Sequence, residues 1–343
     1  MAGTSYKKQH DTLTREKLNE ILPTLPKLFT RFIDAQYGNG HFRVSTAYAY
    51  AQDLYKFFEY LKESNPLLRN TEICDISEDI LEQLSFEDIN EFLRSLNTDV
   101  KRTARVRSAL SSFFTYCVQT KYLTNNPVTA STRPTIKAPK EIDRLGGTEI
   151  VKLLTSVEDV ENSGLTDRAK AYAANYKLRD YAILITLLHT GIRVSELVGL
   201  DVSDIDFDES SMHVIRKGGT DDTVYFNGTV SDALKDYIHL ERPKLMASEK
   251  ETALFLSNRR QRMQVRSIQA MLSKYAEAAL PARKGSKAVT PHKLRKTYGT
   301  ALYDETGDIK LVADVLGHNQ ISTTAKYYIA SDKKKAARDI TLY

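Results

Sequence analysis

The segment TGIRVSEL (residues 190–197) marks a junction between two helices in the second half of the chain. It follows the apolar run Ala182–Leu188, which predicts a buried helix that ends at the glycine. A new helix then begins with Arg193 on its first turn. An arginine between apolar helices is costly to bury unless it meets a carboxylate or a phosphate. Taken alone, the segment favours a structural pair of Arg193 with Glu196 over binding of an anion.

A second basic segment, RKGG (residues 216–219), lies between two predicted strands. It puts Lys217 at the tip of a β-hairpin, from which an ammonium group can reach a bound phosphate without disturbing the core. Lysine is a compact donor whose pKa falls readily when it is desolvated. Exposed hairpin lysines are common, so the segment by itself favours an ordinary surface lysine.

A third segment, TPHKLR (residues 290–295), begins with an N-cap threonine and a proline at the first helical position. His292 and Arg295 are three residues apart, so they share one helix face at the positive end of the helix dipole. That arrangement suits an arginine that holds a phosphate while a histidine moves a proton. A plain surface pair explains the segment equally well.

The fourth segment, LGHNQISTTAKYY (residues 316–328), predicts a helix stop at Gly317, a turn, and a short helix over Thr323–Ile329. That helix carries Tyr327 and Tyr328. Adjacent helical residues point about 100° apart, so only one tyrosine can face a given phosphate. The chain has 19 tyrosines, so composition does not select a nucleophile.

Together the four segments resemble the tyrosine recombinases, also called the phage integrase family. The family pattern is an arginine in T-G-x-R-x-S-E-L, a hairpin lysine, H-x-L-R, and L-G-H followed nine residues later by the nucleophilic tyrosine. This chain fills all six positions in order, with Arg193, Lys217, His292, Arg295, His318 and Tyr327. The segments around 214–219, 290–295 and 302–304 are similar to the Xer-type single-protein resolvases of chromosome dimers.

The family spacing selects Tyr327 over Tyr328 as the nucleophile. Two positions depart from the family pattern. Lys296 stands where many members have a second histidine, and Ile329 replaces a histidine common two residues past the nucleophile. Neither is one of the six, so the catalytic expectation stands.

The resemblance implies that Tyr327 attacks a scissile phosphate to give a 3′-phosphotyrosyl bond and a free 5′-hydroxyl. Arg193 and Arg295 would hold the non-bridging oxygens, and His318 would add a hydrogen bond. Lys217 would protonate the departing oxygen. His292 would assist proton transfer at the tyrosine. No cofactor and no metal ion are expected.

The N-terminal half predicts a helical domain over residues 1–132. Its apolar stripes indicate helices at Val44–Ser64, from a Ser85 N-cap onward, and from about Lys101. Residues 133–146, with prolines and basic side chains, predict a linker. The resemblance makes the first domain a core-binding domain that contacts DNA.

Residues 147–343 form the predicted catalytic domain with a C-terminal tail. Three short strands are expected at Asp204–Asp208, Met212–Arg216 and Thr223–Phe226. The expected fold is therefore mainly α, with a small antiparallel β-sheet in the catalytic domain.

Five further basic residues are predicted DNA contacts. Three of them lie off the apolar stripe at the start of a helix, where a solvated basic face is an equally good reading. The other two neighbour catalytic positions. The five are Lys101, Arg102, Arg105, Arg216 and Lys293.

Composition allows a nucleic-acid partner without requiring one, because 49 Lys and Arg face 44 Asp and Glu. Cys74 and Cys117 have no zinc-ligand spacing and predict small buried residues. No apolar run approaches a membrane span and no secretory signal is visible. We expect a cytoplasmic bacterial protein, nucleoid-associated when bound to DNA.

The resemblance implies double-stranded DNA with paired inverted sites as partner, a homotetramer on two such sites, and a possible accessory DNA-bending or regulatory protein. The tail Ala330–Tyr343 either docks on a neighbouring protomer or frays. The alternative functions are an integrase of a phage, conjugative element or transposon, a relaxing topoisomerase, and a catalytically silent DNA-binding regulator.

Overall fold

The computed structural model describes residues 3–40, 42–135, 143–216, 219–283, 285 and 288–317. Within these ranges the chain is mainly helical with one small antiparallel sheet, which confirms the predicted fold class. The chain divides into two compact units. We call Lys8–Ala138 the N-terminal unit, and Met1–Lys7 with Pro139–Tyr343 the C-terminal unit.

The first half of the chain contains amphipathic helices around an aromatic core. The helices are α1 (Gly3–Ile21), α2 (Lys27–Gly38), α3 (Val44–Ser64), α4 (Glu78–Glu82), α5 (Phe86–Ser95) and α6 (Val100–Gln119). Phe29, Phe32, Phe58 and Phe113 are buried, and successive rings pack at 5.6–6.3 Å. Large rings in tilted contact bury much apolar area per residue, so these phenylalanines hold α2, α3 and α6 together.

Helices of the second half surround one buried helix. The helices of this half are α7 (Gly147–Glu158), α8 (Asp167–Ala174), α9 (Lys177–Thr190), α10 (Val194–Gly199), α11 (Gly228–Asp236), α12 (Arg242–Leu245), α13 (Val265–Ala279), α14 (Pro291–Thr306) and α15 (Ile309–Val315), and α9 is the buried one. The predicted run Ala182–Leu188 lies in α9 and is buried. Helix α9 packs on α7, α11 and α14, so it positions the elements around its C-terminal end.

The sheet consists of β1 (Ile205–Asp206), β2 (Ser211–Ile215) and β3 (Asp221–Tyr225) in that order. Both pairs are antiparallel, and Met212 lies opposite Val224 in the β2–β3 hairpin. The sequence predicts the third strand at Thr223–Phe226, whereas β3 begins two residues earlier, at Asp221. The hairpin tip therefore starts directly after Ile215.

Local capping signals were read correctly at two helix starts. Ser85 and Asp88 form the predicted capping box of α5, and Thr290 accepts a hydrogen bond as the N-cap of α14. Helix α7 begins at Gly147, and Glu149 accepts from the backbone N–H of Gly146 at 2.9 Å. Helix α11 begins at Gly228, and a π-helical turn at Tyr237–Glu241 joins it to α12.

Two predicted segments lie outside the described residues, namely the helix at Thr323–Ile329 and the tail from Ala330. Among the helices of the described ranges, none combines the length and apolar character that crossing a bilayer requires.

Candidate active site

The site is built on the turn between α9 and α10. Gly191 ends α9 with a φ of 62°, in the left-handed region. A Cβ at this position would lie 2.5 Å from Tyr298 and 3.0 Å from Leu316, so the turn requires a glycine for both space and backbone conformation. Arg193 follows as the first residue before α10, with its backbone extended.

Glu196 joins two arginines in this turn. Its Oε1 accepts from Nη1 of Arg193 at 2.7 Å, and its Oε2 accepts from Nη1 of Arg216 at 3.1 Å. Oε2 also accepts from the Arg193 backbone N–H at 2.7 Å. The predicted structural pair of Arg193 and Glu196 is therefore present. A buried carboxylate between two guanidinium groups offsets part of the cost of burying either charge.

Three arginines donate to consecutive carbonyl oxygens at the end of α15. Arg216 donates to Val315 at 3.1 Å, Arg295 donates to Leu316, and Arg193 donates to Gly317 at 3.1 Å. The last carbonyls of a helix lack partners within it and carry its negative dipole end. Arginines from three separate elements therefore meet at one helix end.

Arg295 is buried on α14 and makes a second contact to the same turn. Its Nη1 donates to the carbonyl oxygen of Gly191 at 2.6 Å. His292 lies one turn earlier on the same helix and is exposed. The structure thus brings Arg193, His292 and Arg295 of the six predicted catalytic residues into one neighbourhood.

His292 is surrounded by positive charge. Its pKa is lowered from the ordinary histidine value, first by partial desolvation and then by the cations Lys296, Arg295 and Arg193. Both effects disfavour the imidazolium form. A neutral ring at pH 7 can accept a proton, which fits a general base.

Lys293 is buried and does not face the same way as His292. Its Nζ pairs with Oδ2 of Asp143 at 2.5 Å, and Asp143 also accepts from Nη1 of Arg283 at 2.7 Å. The backbone N–H of Leu145 donates to Oγ1 of Thr297 at 3.0 Å. Residues 143–145, assigned to the linker from sequence, are therefore fixed to α14.

The predicted DNA contacts of α6 differ in whether their side chains are held by another residue. Lys101 and Arg102 are exposed at the helix start, where Asp99 caps their backbone N–H groups. Arg105 donates a hydrogen bond from Nη2 to Oδ1 of Asp53 on α3 at 2.8 Å, and its Nη1 forms an ion pair with Oδ2 of Asp53 at the same distance. The other two predicted contacts, Arg216 and Lys293, are buried and ion-paired.

Lys217, His318 and Tyr327 lie outside the described residues. Lys217 directly follows Arg216. His318 directly follows Gly317, whose carbonyl oxygen accepts a hydrogen bond from Arg193. The sequence reading overlooked Asp222 and Asp143, the acidic partners of Arg216 and Lys293. Asp222 lies in β3, one residue before the strand that the sequence predicts at Thr223–Phe226. Groups of three or more possible metal ligands do not occur in the described ranges.

Two comparisons of sequence identify relatives of this chain. The model of the phage integrase family matches residues 157–335. Tyrosine recombinase XerS of Streptococcus mutans is 31% identical over 364 residues, covering 95% of this chain and 98% of the relative. XerS of Streptococcus equi subsp. zooepidemicus is 33% identical and covers 86% of this chain and 90% of the relative.

Solved structures share the fold at lower identity. The XerH recombinase in a post-cleavage complex with palindromic difH DNA superposes with a TM-score of 0.64 at 21% identity, covering 87% of this chain and 79% of that one. The Tn1549 transposon integrase bound to transposon right-end DNA also has a TM-score of 0.64, at 17% identity over 91% of this chain and 99% of that one.

Proposed function

The chain belongs to the phage integrase family and is a site-specific tyrosine recombinase, and we propose that it cuts and rejoins DNA through a covalent phosphotyrosine at Tyr327. The observation that supports this site most directly is the meeting of Arg193 and Arg295. Their guanidinium groups donate to the neighbouring carbonyls of Gly317 and Leu316, directly before the segment that carries His318 and Tyr327. A preorganised pair of guanidinium groups suits the charge of a phosphoryl transition state.

In the proposed reaction the Tyr327 oxygen bonds to the scissile phosphorus, and the bond from phosphorus to the 5′-oxygen breaks. His292 accepts the tyrosine proton, since the lowered pKa keeps its ring neutral. Lys217 donates a proton to the leaving oxygen. Arg193 and Arg295 hold the non-bridging oxygens.

Rejoining is the reverse of the same step with a new 5′-hydroxyl. That hydroxyl attacks the phosphotyrosine and restores the tyrosine, with the proton transfers reversed. The energy of one phosphodiester is kept in the covalent intermediate, so strand exchange needs no nucleotide hydrolysis.

The proposed partner is double-stranded DNA with paired inverted sites, bound by four protomers on two such sites. Relatives of the same fold were solved with DNA. Lys101 and Arg102 are the proposed phosphate contacts of α6 because both are exposed at a helix start. Arg105, held by Asp53, contributes less. An accessory protein that bends the DNA is compatible with this assembly.

For the biological role we propose resolution of chromosome dimers in the bacterial cytoplasm, at the nucleoid. The similarity to XerS over almost the whole chain supports this role. Mapping the recombined site in the host genome tests it. A single chromosomal site that recombines with its own copy fits the proposal, and paired ends of a mobile element contradict it.

The covalent step is tested with a nicked suicide substrate, from which the cut end diffuses away so that the adduct accumulates. Wild-type protein is expected to give a protein–DNA band resistant to boiling in detergent. Tyr327→Phe should lose the band and keep DNA affinity, while Tyr328→Phe serves as the matched control. An adduct in Tyr327→Phe contradicts the assigned nucleophile.

A further inference from the structure

Arg216 connects three elements of the site through its three side-chain nitrogens. Nε donates to Oδ2 of Asp222 at 2.7 Å, Nη1 to Oε2 of Glu196 at 3.1 Å, and Nη2 to the carbonyl oxygen of Val315 at 3.1 Å. These partners lie on β3, α10 and the end of α15. The side chain is buried.

The backbone of Arg216 also forms the base of the hairpin tip. Its N–H donates to the carbonyl oxygen of Thr220 at 2.8 Å, and its own carbonyl accepts from Gly219 at 3.0 Å. In the chain, these two bonds flank residues 217 and 218, which lie outside the described residues. A side chain fixed at the base of so short a loop restricts where the loop can point.

The guanidinium group lies against the backbone of Gly317. A Cβ on Gly317 would come within 2.7 Å of Nε and 3.0 Å of Cζ of Arg216, and Gly317 has a φ of 59°. This close approach requires a glycine there. Arg216 therefore touches the residue that directly precedes His318.

We propose that Arg216 is a positioning residue that anchors the Lys217 hairpin to α10 and α15, and that it does not bind DNA. This inference rests on the proposed function. The charge of Arg216 is already offset by two carboxylates, those of Asp222 and Glu196, and all three of its side-chain nitrogens donate within the protein, so little of its charge is left for a phosphate. An arginine is needed because its planar fork reaches three separate partners, whereas a lysine presents one point charge.

A change in the leaving group of the DNA distinguishes two roles of Arg216, namely positioning of Lys217 and general support of the fold. A substrate with sulfur at the 5′-bridging position leaves as a thiolate, and thiols have a pKa near about 8.5, so the step needs little help from an acid. We expect Arg216→Gln to slow adduct formation roughly 100-fold on the oxygen substrate, the size of a general-acid contribution. Most of that loss should be recovered on the sulfur substrate.

Arg216→Lys should behave like Arg216→Gln. Asp222→Asn removes one anchor at a partly exposed position and should give the same pattern with a smaller loss. It therefore tests the inference independently of whether Arg216→Gln folds. The exposed Arg168 on α8 supplies the matched control, Arg168→Gln, which should keep the wild-type rate on both substrates.

Binding of intact DNA at several salt concentrations separates a phosphate contact from an anchor. Loss of one phosphate contact lowers the slope of log K against log salt by about 1. We expect Arg216→Gln to keep the wild-type slope. A lowered slope with normal cleavage at saturation overturns the inference, and so does an equal loss on the two substrates for both Arg216→Gln and Asp222→Asn. Adduct formation by Tyr327→Phe contradicts the proposed function instead.

Discussion

Arg295 donates a hydrogen bond from Nη1 to the backbone carbonyl oxygen of Gly191 at 2.6 Å, which ties α14 to the turn that precedes Arg193. The two guanidinium groups are therefore positioned through one backbone segment. The same turn has no room for a side chain on Gly191. Its geometry controls both stability and the placement of the two arginines.

Gly191→Ala is predicted to destabilise the C-terminal unit by about 2–4 kcal/mol, from left-handed strain plus overpacking against Tyr298. Gly307→Ala is the matched control, because Gly307 has a φ of 66° with nothing within 4 Å of the added carbon. It should cost only about 1 kcal/mol. Urea unfolding of both variants measures the difference. Equal costs would show that the contact with Tyr298 is relieved cheaply.

The pH response of His292 is predicted to depend on Lys296. Desolvation, and then the neighbouring cations, lower the pKa of His292, so the neutral ring persists to lower pH than for an ordinary histidine. Lys296→Met removes one cation and should raise the pKa, which moves the acid loss of cleavage to higher pH. NMR titration of the imidazole in the free protein reports the direction without DNA. Lys310→Met, an exposed lysine on α15, is the control. An unchanged titration in Lys296→Met would contradict the electrostatic account.

The sequence predicted helix starts correctly where the signal comes from residues close together in the chain. The Ser85–Asp88 capping box and the start of α14 at Thr290 depend on residues three apart, and both were found. Helix α2 was missed although its buried Leu28, Phe29, Phe32 and Ile33 follow helical spacing.

Long-range partners could not be read from sequence. Arg216 and Lys293 are predicted DNA contacts, and the structure shows both of them buried in ion pairs. Their burial depends on Glu196 and Asp143, which are 20 and 150 residues away along the chain. Which carboxylate meets a given cation is set by the packing of whole helices, and periodicity carries no information about it.

Lys101→Gln and Arg102→Gln are each predicted to lower the slope of log K against log salt by about 1, because each is proposed to contact one phosphate. Cleavage at saturating protein should be unchanged. Lys121→Gln removes the same charge beyond the other end of α6, ~30 Å away at 1.5 Å per residue. This control should leave the slope unchanged. Equal effects of all three substitutions on the salt slope would indicate a general electrostatic attraction to DNA rather than individual phosphate contacts.

Asp143→Asn is predicted to destabilise the C-terminal unit by about 1–2 kcal/mol, because it leaves buried Lys293 without its carboxylate. Lys293→Met in the same chain removes the unpaired charge, so the double variant should recover most of the loss. Thermal unfolding of the single and double variants measures the coupling. A double variant no more stable than Asp143→Asn would show that Lys293 is adequately solvated.

The same ion pair predicts how stability depends on pH. Partial burial works to raise the pKa of Asp143, but hydrogen bonds and charge from Lys293 and Arg283 bring it below the ordinary aspartate value. A carboxyl whose pKa is lower when folded contributes stability above its ordinary pKa, and loses it as pH falls through the folded value. Wild-type stability should therefore fall more steeply than that of the double variant as pH falls through and below the ordinary aspartate pKa. Parallel curves would mean that Asp143 has the same pKa in the folded and the unfolded chain. That result would contradict the lowering assigned to Lys293 and Arg283.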